Sequence, residues 1–246
     1  MKYYSQVKQD KSINILFRGK KNGVFLDIGA HDGVSFSNTY FFEKEKNWTG
    51  VCIEPNPEVF KKLQTNRNCI LENSCIADKE HVVTFRKVID PMGGGNYNAI
   101  SMLSGILDFL DTNNIERIEQ EIAVRGGTYE DIPIECKTVD TILLKNNIRE
   151  VDYCSIDVEG AELLIIKTID LDKFLIKAFS VENNYGDLSV RNYLKQKGYY
   201  CISGYQDDFF VKKFSIIHIP FIVYTKWYVY YRKTRTIAGN IFRRYF

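Results

Sequence analysis

The stretch VFLDIGAHDGVSF, residues 24–36, decides the fold class of this chain. Its first half is an apolar run typical of a short strand buried within a parallel sheet. Gly29 and Gly33 then permit a tight turn in which the backbone can approach a ligand. Ser35 and Ser37 are good N-cap residues, so we expect a helix to begin near them. Strand, glycine turn and helix together form the first unit of a doubly wound nucleotide-binding fold.

A second apolar strand lies in GVCIEPNP, residues 50–57, and ends at Glu54. Glu54 follows Gly33 by 21 residues. An acid about 20 residues beyond the glycine turn is where such folds hydrogen-bond the ribose of a nucleotide. Pro55 and Pro57 end the strand and begin a helix. Glu54 is therefore a candidate ribose ligand, although a solvated charge at a strand end is the plainer alternative.

The charge of the glycine turn favours one nucleotide ligand over another. The pattern Gly29-x-x-x-Gly33 lacks the third glycine of the dinucleotide fingerprint, and Asp27 and Asp32 place carboxylates at the turn. These carboxylates would repel a pyrophosphate, but they would attract a sulfonium or ammonium group. The sequence therefore favours S-adenosylmethionine over NAD. A nicotinamide-dependent oxidoreductase is the alternative from another enzyme class.

The chain resembles the FkbM family of S-adenosylmethionine-dependent methyltransferases over roughly residues 3–210. The resemblance rests on five segments in the family's order: YYSQVKQD (3–10), FLDIGAHDGVSFSNTYFFEK (25–44), WTGVCIEPNPEVFKKLQTNR (48–67), CIAD (75–78) and IDVEGAE (156–162). It implies a Rossmann-like class I methyltransferase fold. It also implies an activity that usually modifies hydroxyl groups of sugars or other small acceptors.

The rest of the chain alternates between strand-like and helix-like segments, which favours an α/β fold. We predict a mainly parallel seven-stranded sheet with helices on both faces, an antiparallel final pair of strands and a basic aromatic C-terminal tail. The third strand is predicted to end near Asp78. The glycine-rich stretch 90–106 is predicted to be a loop over the active site. We divide the chain into a methyltransferase domain, 1–213, and a C-terminal extension, 214–246.

The cofactor site is predicted at the strand ends and in the glycine turn. Its candidate residues are Asp27, Gly29, Ala30, His31, Gly33, Glu54, Pro55, Asp78 and Asp157. The resemblance assigns Asp78 to the exocyclic amine of adenine, and a solvated turn aspartate is the alternative. The resemblance also places the N-terminal segment against the methionine end of the cofactor, through Gln6, Gln9 or Asp10.

Methyl transfer to a hydroxyl requires alignment of the acceptor oxygen and removal of its proton. Candidate catalytic residues are Asp157, Glu159, Glu182 and His31. We favour Asp157 as the base, with Glu159 and Glu182 orienting the acceptor. His31 is the alternative base, since an imidazole titrates near neutral pH. Pairs of the carboxylates could also hold Mg²⁺, but no metal-binding motif requires it, so no residue is assigned to a metal.

The C-terminal tail has an unusual composition. No Asp or Glu follows Asp208, and the tail carries eight Lys and Arg residues interleaved with Trp, Tyr and Phe. Because the whole chain carries +2 and the tail +8, the first 208 residues carry −6. The tail composition suits an anionic membrane surface. Packing on the body or on a second subunit is the main alternative, and nucleic-acid binding is a weaker one.

The N-terminus has no apolar core of a signal peptide, and the six cysteines form no C-x-x-C pair. We therefore expect a cytoplasmic protein. From the composition of its tail, we expect contact with the inner face of the membrane. The predicted activity is O-methylation of a sugar hydroxyl in a capsule, a lipopolysaccharide or a precursor of either. Alternative acceptors are a small metabolite, a lipid or a phosphate-derived capsule group. An inactive membrane scaffold is the remaining alternative.

Overall fold

The computed structural model describes residues 2–91, 100–110, 112–158, 160–183, 186–213 and 215–245, with side chains up to residue 236. Its strands are β1 (Val24–Ile28), β2 (Thr49–Ile53), β3 (Ile70–Glu72), β4 (Cys75–Ile76), β5 (Val82–Ile89), β6 (Gly105–Ile106), β7 (Thr128–Lys137), β8 (Glu150–Ile156), β9 (Leu175–Glu182), β10 (Tyr200–Ser203) and β11 (Asp207–Val211). Its α-helices are α1 (Gln9–Leu16), α2 (Tyr40–Lys46), α3 (Pro57–Asn66), α4 (Thr112–Arg125), α5 (Val139–Lys145), α6 (Glu162–Thr168), α7 (Ser189–Gln196) and α8 (Ile219–Tyr245). Short 3₁₀ helices lie at Ile100–Leu103, Leu107–Phe109 and Ile216–His218.

Seven strands form the main sheet, in the order β10-β11-β9-β8-β1-β2-β3. The five strands from β9 to β3 are parallel to their neighbours, and β11 pairs antiparallel with both β9 and β10. The sheet is therefore mixed, with a parallel majority and an antiparallel pair at one edge, in agreement with the sequence pattern. Because β1, β2, β8 and β9 are parallel, their carboxyl ends meet along one edge.

Side chains of β1 alternate between two cores on opposite faces of this sheet. Leu26 and Ile28 lie in the core covered by α5, α6 and α7. Phe25 packs in the other core, with residues of α1, α2, α3 and α8. Each fully buried side chain of this size contributes about 1.5–3 kcal/mol of transfer free energy. The prediction of helices on both faces is confirmed.

Two boundaries differ from the sequence prediction. The helix after β1 begins at Tyr40, because the Ser37 hydroxyl accepts from the Tyr40 amide at 3.0 Å while Ser35 bonds to Asp32. The predicted third strand is two strands, since β3 pairs with β2 and β4 pairs with β7. Between them, the side chain of Asn73 donates to the backbone carbonyl of Glu54 at 2.7 Å and turns the chain away from the main sheet.

A second sheet has the order β4-β7-β5-β6. Its long strands β5 and β7 pair antiparallel over eight residues each. The sequence pattern did not indicate that these strands form a sheet of their own. Phe85, Ile106 and Cys136 pack in a small separate core at this sheet. This sheet stands beside the carboxyl edge of the main sheet and closes the site described below.

The C-terminal segment forms helix α8, whose first turns pack on the body of the protein. Phe221 is fully buried, and its ring meets that of Phe209 edge-on, with centroids 5.5 Å apart. The ammonium of Lys11, on α1, lies over the ring of Tyr224 at 4.7 Å. Among the described helices, none combines the length and apolar character needed to cross a bilayer.

Candidate functional site

One cavity opens at the carboxyl edge of the main sheet. The residues after three strands line it: Gly29 after β1, Glu54 after β2 and Asp157 after β8. Glu182, the last residue of β9, lines it as well. The opposite wall comes from the second sheet, from the segment that leads to α4 and from α4 itself. Its residues are Phe85, Ser101, Met102, Ser104, Gly105, Ile106 and Arg117. The cavity therefore lies between two sheets.

The glycines of the first turn serve packing within the protein. Gly29 has φ 87°, and a Cβ at this position would lie 1.9 Å from the carbonyl oxygen of Asp157. Gly33 has φ 79°, and a Cβ there would lie 2.5 Å from Leu63 Cδ1 and 2.6 Å from Arg67 Cγ. Gly29 borders the cavity, but Gly33 is not among its lining residues. The turn thus requires glycine for strand and helix contacts, which the sequence could not distinguish from ligand contact.

Asp27 lines the cavity, and its carboxylate is also engaged within the protein. Its carboxylate accepts from the hydroxyl of Thr39 at 2.5 Å, and the buried guanidinium of Arg67 donates to the same hydroxyl at 3.0 Å. Burial raises the pKa of Asp27, although the charge of Arg67 and the bond from Thr39 oppose the rise. Arg67 also donates to Glu43 at 2.6 Å. Asp27 therefore supports the turn from beneath, and the sequence did not identify Arg67 as its partner.

Glu54 links the ends of β1 and β2. One carboxylate oxygen accepts from the backbone amide of His31 at 2.9 Å, and the other accepts from the amide of Asn56 at 2.8 Å. Its side chain is 94% buried, and burial raises its pKa despite the nearby His31 and these two bonds. Each oxygen keeps a second lone pair. Glu54 is thus held rigidly and can still accept from a ligand in the cavity.

His31 occupies a strained position in the turn. It has φ 49°, a left-handed conformation that is unfavourable for a side chain with a Cβ. Its Nε2 lies 3.2 Å from the Ser101 hydroxyl, within hydrogen-bonding distance. Its buried Nδ1 makes no hydrogen bond within 3.5 Å to the described residues, but it lies 3.8 Å from a carboxylate oxygen of Asp32. Burial acts to raise the pKa of Asp32, but contacts with His31 and Ser35 and bonds from backbone amides outweigh it and lower this pKa.

Two of the three acids predicted for catalysis, Asp157 and Glu182, lie at the same cavity. Asp157 is exposed and Glu182 half-buried, and both line the cavity. The backbone amide of Asp157 donates to the carbonyl of Ile28 at 3.1 Å, which ties the ends of β8 and β1 together. Glu159 lies outside the described residues. Glu162 accepts from the backbone amide of Gly160 at 3.0 Å and lies at the start of α6, where the helix dipole favours a negative charge.

Burial raises the pKa of Glu162, and the charge of Glu182 adds to this rise. Asp207, on β11, pairs with Glu182 of β9 across the sheet. Its carboxylate accepts from the side-chain amide of Gln9 at 2.8 Å. Burial, followed by the charge of Glu182, raises the pKa of Asp207 well above its ordinary value. Carboxylates therefore accumulate behind the Glu182 side of the cavity.

The remaining predicted residues divide between the cavity and the protein interior. Ala30, Pro55 and Gln6 line the cavity. Asp78 is exposed after β4 and is not among the lining residues, where Ser74, Cys75 and Ile76 stand instead. Asp10 is fully buried and accepts from the hydroxyl of Ser5 at 2.5 Å. Of the N-terminal candidates, only Gln6 reaches the cavity among the described residues.

Two features of the site were missed by sequence reasoning. Asn38 lines the cavity; its amide donates to Ser155 at 2.9 Å, while its buried Oδ1 has no partner among the described residues. Arg117, on α4, is the only Lys or Arg among the described lining residues. No local pattern marked either residue, because both reach the site through the tertiary fold. Over the same described part of the chain, no group of three His, Cys, Asp or Glu is arranged to hold a metal ion.

A parallel-majority sheet, a tight glycine turn and an acid after the second strand form an arrangement that is typical of nucleotide-binding α/β folds. The profile of the methyltransferase FkbM domain matches residues 27–201 of this chain. The chain therefore belongs to the family of FkbM-domain methyltransferases. This family implies S-adenosylmethionine as the methyl donor.

Two solved structures are similar to this chain. One is the methyltransferase FkbM from Methylobacillus flagellatus KT, with 14% identity and a TM-score of 0.47. The similarity covers 81% of this chain, which spans 47% of the length of that one. The other is the precorrin-6y C5,15-methyltransferase from Geobacter metallireducens GS-15, with 13% identity, a TM-score of 0.39, and coverage of 82% of this chain and 84% of that one. A comparison with curated proteins gives no match.

The lining residues fit such a methyl donor. Its ribose hydroxyls and its ammonium are hydrogen-bond donors, and the cavity offers the second lone pairs of Glu54 and the unpartnered Oδ1 of Asn38 as acceptors. Both side chains are more than nine-tenths buried, so their polar atoms would be costly to leave without partners.

Proposed function

We propose that this chain is an S-adenosylmethionine-dependent O-methyltransferase that acts on a sugar hydroxyl of a cell-surface polysaccharide, such as a capsule or lipopolysaccharide, or of its precursor. The observation that carries the proposal is that Glu54 and Asp157 line one cavity. A ribose acceptor and a candidate base therefore border the same space. Family membership supports methyl transfer. We propose in addition that the acceptor is a sugar hydroxyl.

The roles of the residues follow from their contacts. When bound, the methyl donor supplies an electrophilic methyl group on a sulfonium. Glu54 accepts from its ribose, and Asn38 accepts from its ammonium. Ala30, His31 and Pro55 border it, while Asp27 supports the turn through Thr39. Asp78 keeps its assignment to adenine as a prediction.

Asp157 takes the proton from the acceptor hydroxyl, and Glu182 orients the acceptor by accepting a hydrogen bond from a second hydroxyl. A positioned base of this kind typically contributes about 10²–10⁴-fold to the rate. His31 is the second candidate base, because its Nε2 contacts Ser101 at the far wall of the cavity. Glu159 remains a predicted orienting residue, and Mg²⁺ held by a pair of these acids remains a prediction.

Arg117 favours an acceptor that carries a negative charge. A guanidinium binds phosphate or carboxylate through two parallel hydrogen bonds. Sugar precursors linked to a nucleotide or lipid phosphate satisfy this requirement, and so do acidic sugars. A small acidic metabolite, a lipid and a phosphate-derived capsule group are the alternative acceptors.

The first experiment is calorimetric titration with S-adenosylmethionine, S-adenosylhomocysteine and NAD. Binding of the first two without NAD supports the proposed cofactor, and binding of NAD alone overturns it. Transfer of a labelled methyl group to nucleotide sugars, glycan fragments and lipids then identifies the acceptor. Failure of every acceptor despite cofactor binding would favour the inactive scaffold.

Three variants then assign the roles. Asp157→Asn should lower kcat at least about 10²-fold with the cofactor Kd little changed, whereas His31→Gln should retain most of kcat. The opposite result would make His31 the base. Arg117→Ala should raise the acceptor KM about tenfold or more. Arg125→Ala is the matched control, because Arg125 lies on the same helix outside the cavity.

A further inference from the structure

Helix α8 has two apolar faces, of which one is covered. Phe221, Thr225 and Tyr228 are buried against the body of the protein, at helical spacing along one side. Ile219, Val223, Trp227 and Tyr230 lie on the other side and are 47%, 61%, 55% and 70% exposed. Ile216, in the preceding 3₁₀ helix, is 78% exposed. These five exposed residues are called the outer stripe.

Exposed aliphatic and aromatic side chains at a spacing of three and four residues form a continuous band on a helix. Single exposed apolar residues are ordinary on protein surfaces, but a contiguous band marks an interaction site. A helix of 27 residues extends about 40 Å. The buried residues Phe221, Thr225 and Tyr228 lie in its first three turns, and the band runs along the same turns on the opposite side.

The charge beside the outer stripe is of one sign. Lys226 and Lys233 are exposed on α8 at helical spacing beside the stripe, and no acid follows Asp208 in the sequence. Trp and Tyr rings with Lys and Arg around them match the headgroup region of a membrane, where rings lie at the interface and cations meet phosphates. If the stripe instead packed against the stripe of a second copy, the cations of the two helices would repel each other. The helix carries no acid that could offset this repulsion.

We propose that the outer stripe of α8 binds an anionic lipid surface, with the helix lying in the plane of the interface. A helix too polar to cross a bilayer binds in this way when one face is apolar and its flanks are basic. Trp227 and Tyr230 enter the headgroup region, and Lys226 and Lys233 contact lipid phosphates. The proposal does not depend on the methyl acceptor.

The test uses the full chain and flotation with vesicles of phosphatidylcholine, alone or mixed with phosphatidylglycerol. The protein should bind only the mixed vesicles, and added salt should weaken binding. Trp227 also reports insertion directly. It is the exposed one of two tryptophans, since Trp48 is 3% exposed, so a blue shift of emission should accompany binding.

Two variants separate the apolar and charged contributions. The triple substitution Val223→Ser, Trp227→Ser and Tyr230→Ser should remove vesicle binding. The pair Lys226→Gln and Lys233→Gln should weaken binding about fivefold for each charge removed. Val82→Ser with Val124→Ser is the matched control, because these residues are 62% and 83% exposed on other elements. All replaced side chains are exposed, so each variant should keep the fold.

Equal binding to both kinds of vesicle, binding to neither, or unchanged binding by the triple variant would overturn the proposal. Light scattering measures the oligomeric state and so tests the alternative that a second copy of this chain covers the stripe. If the wild type is a dimer that the triple variant converts to a monomer, with no effect on vesicles, the stripe is an interface between copies of this chain. Cofactor titration is read separately, so failure of the membrane proposal leaves the proposed activity standing.

Discussion

The carboxylate of Glu54 accepts a 2.9 Å hydrogen bond from the backbone amide of His31 and thereby fixes the turn after β1 from the end of β2. The residue predicted to bind ribose is thus also a structural clamp. Its second oxygen holds the start of α3 through the amide of Asn56. Because Glu54 is both this clamp and the proposed ribose ligand, we expect substitutions there to affect stability and ligand binding together, and the two effects need separate measurements.

Glu54→Ala should raise the Kd for S-adenosylmethionine at least about tenfold and destabilise the protein by about 1–3 kcal/mol, because two amide donors lose their acceptor. Glu54→Gln should fall between Ala and the wild type, since its single carbonyl replaces one acceptor. Calorimetry and urea denaturation measure the two effects. Glu58→Ala is the control, because Glu58 is exposed and outside the cavity. Unchanged affinity in Glu54→Ala would remove this residue from the cofactor site.

Gly29→Ala should destabilise the protein by more than about 3 kcal/mol, because the added Cβ would collide with the carbonyl oxygen of Asp157 at a left-handed φ. Gly186→Ala is the matched control. Gly186 has φ 72°, but no described atom lies within 4 Å of its added Cβ, so the cost should be about 1–2 kcal/mol. Equal urea midpoints for the two variants would contradict the close contact.

Arg67→Met should destabilise the protein by about 3–5 kcal/mol. It removes the buried cation that binds the carboxylate of Glu43 and offsets the charge of Asp27. The comparison is Arg86→Met, which breaks the partly exposed pair with Asp131 and should cost less than about 1 kcal/mol. Chemical denaturation measures both. A small effect at Arg67 would mean that Asp27 is protonated in the folded state.

Asp207→Asn should flatten the dependence of stability on pH. Burial raises the folded pKa of Asp207 above its unfolded value near 3.8, so the folded state binds more protons than the unfolded state in that range. The unfolding free energy therefore falls as pH rises from about 4 through the folded pKa. Urea melts across the pH range should show a shallower fall in the variant, which retains an oxygen for Gln9. An unchanged slope would place the titration on other buried acids.

The first two strands and the position of Glu54 at a strand end could be predicted, because both leave local patterns. A short apolar run bounded by glycine or an acid marks a buried strand, and the 21-residue spacing marks the second strand end. The start of α2 was misplaced, because Ser35 and Ser37 are equally good caps in sequence and only their bonds to Asp32 and Tyr40 distinguish them. The predicted third strand was too long, because it joined β3 and β4. The apolar pattern continues from one to the other although they belong to different sheets.

The sequence by itself determined the fold class, the family, the glycine turn and the basic tail, because each depends on residues that are close together along the chain. The tertiary structure decided which of these residues share a cavity. It brought Asn38 and Arg117 to the cavity, engaged the lining carboxylate of Asp27 with Thr39 and exposed Asp78 away from the lining. Contacts between distant segments depend on how strands and helices pack, and no local pattern encodes that distance.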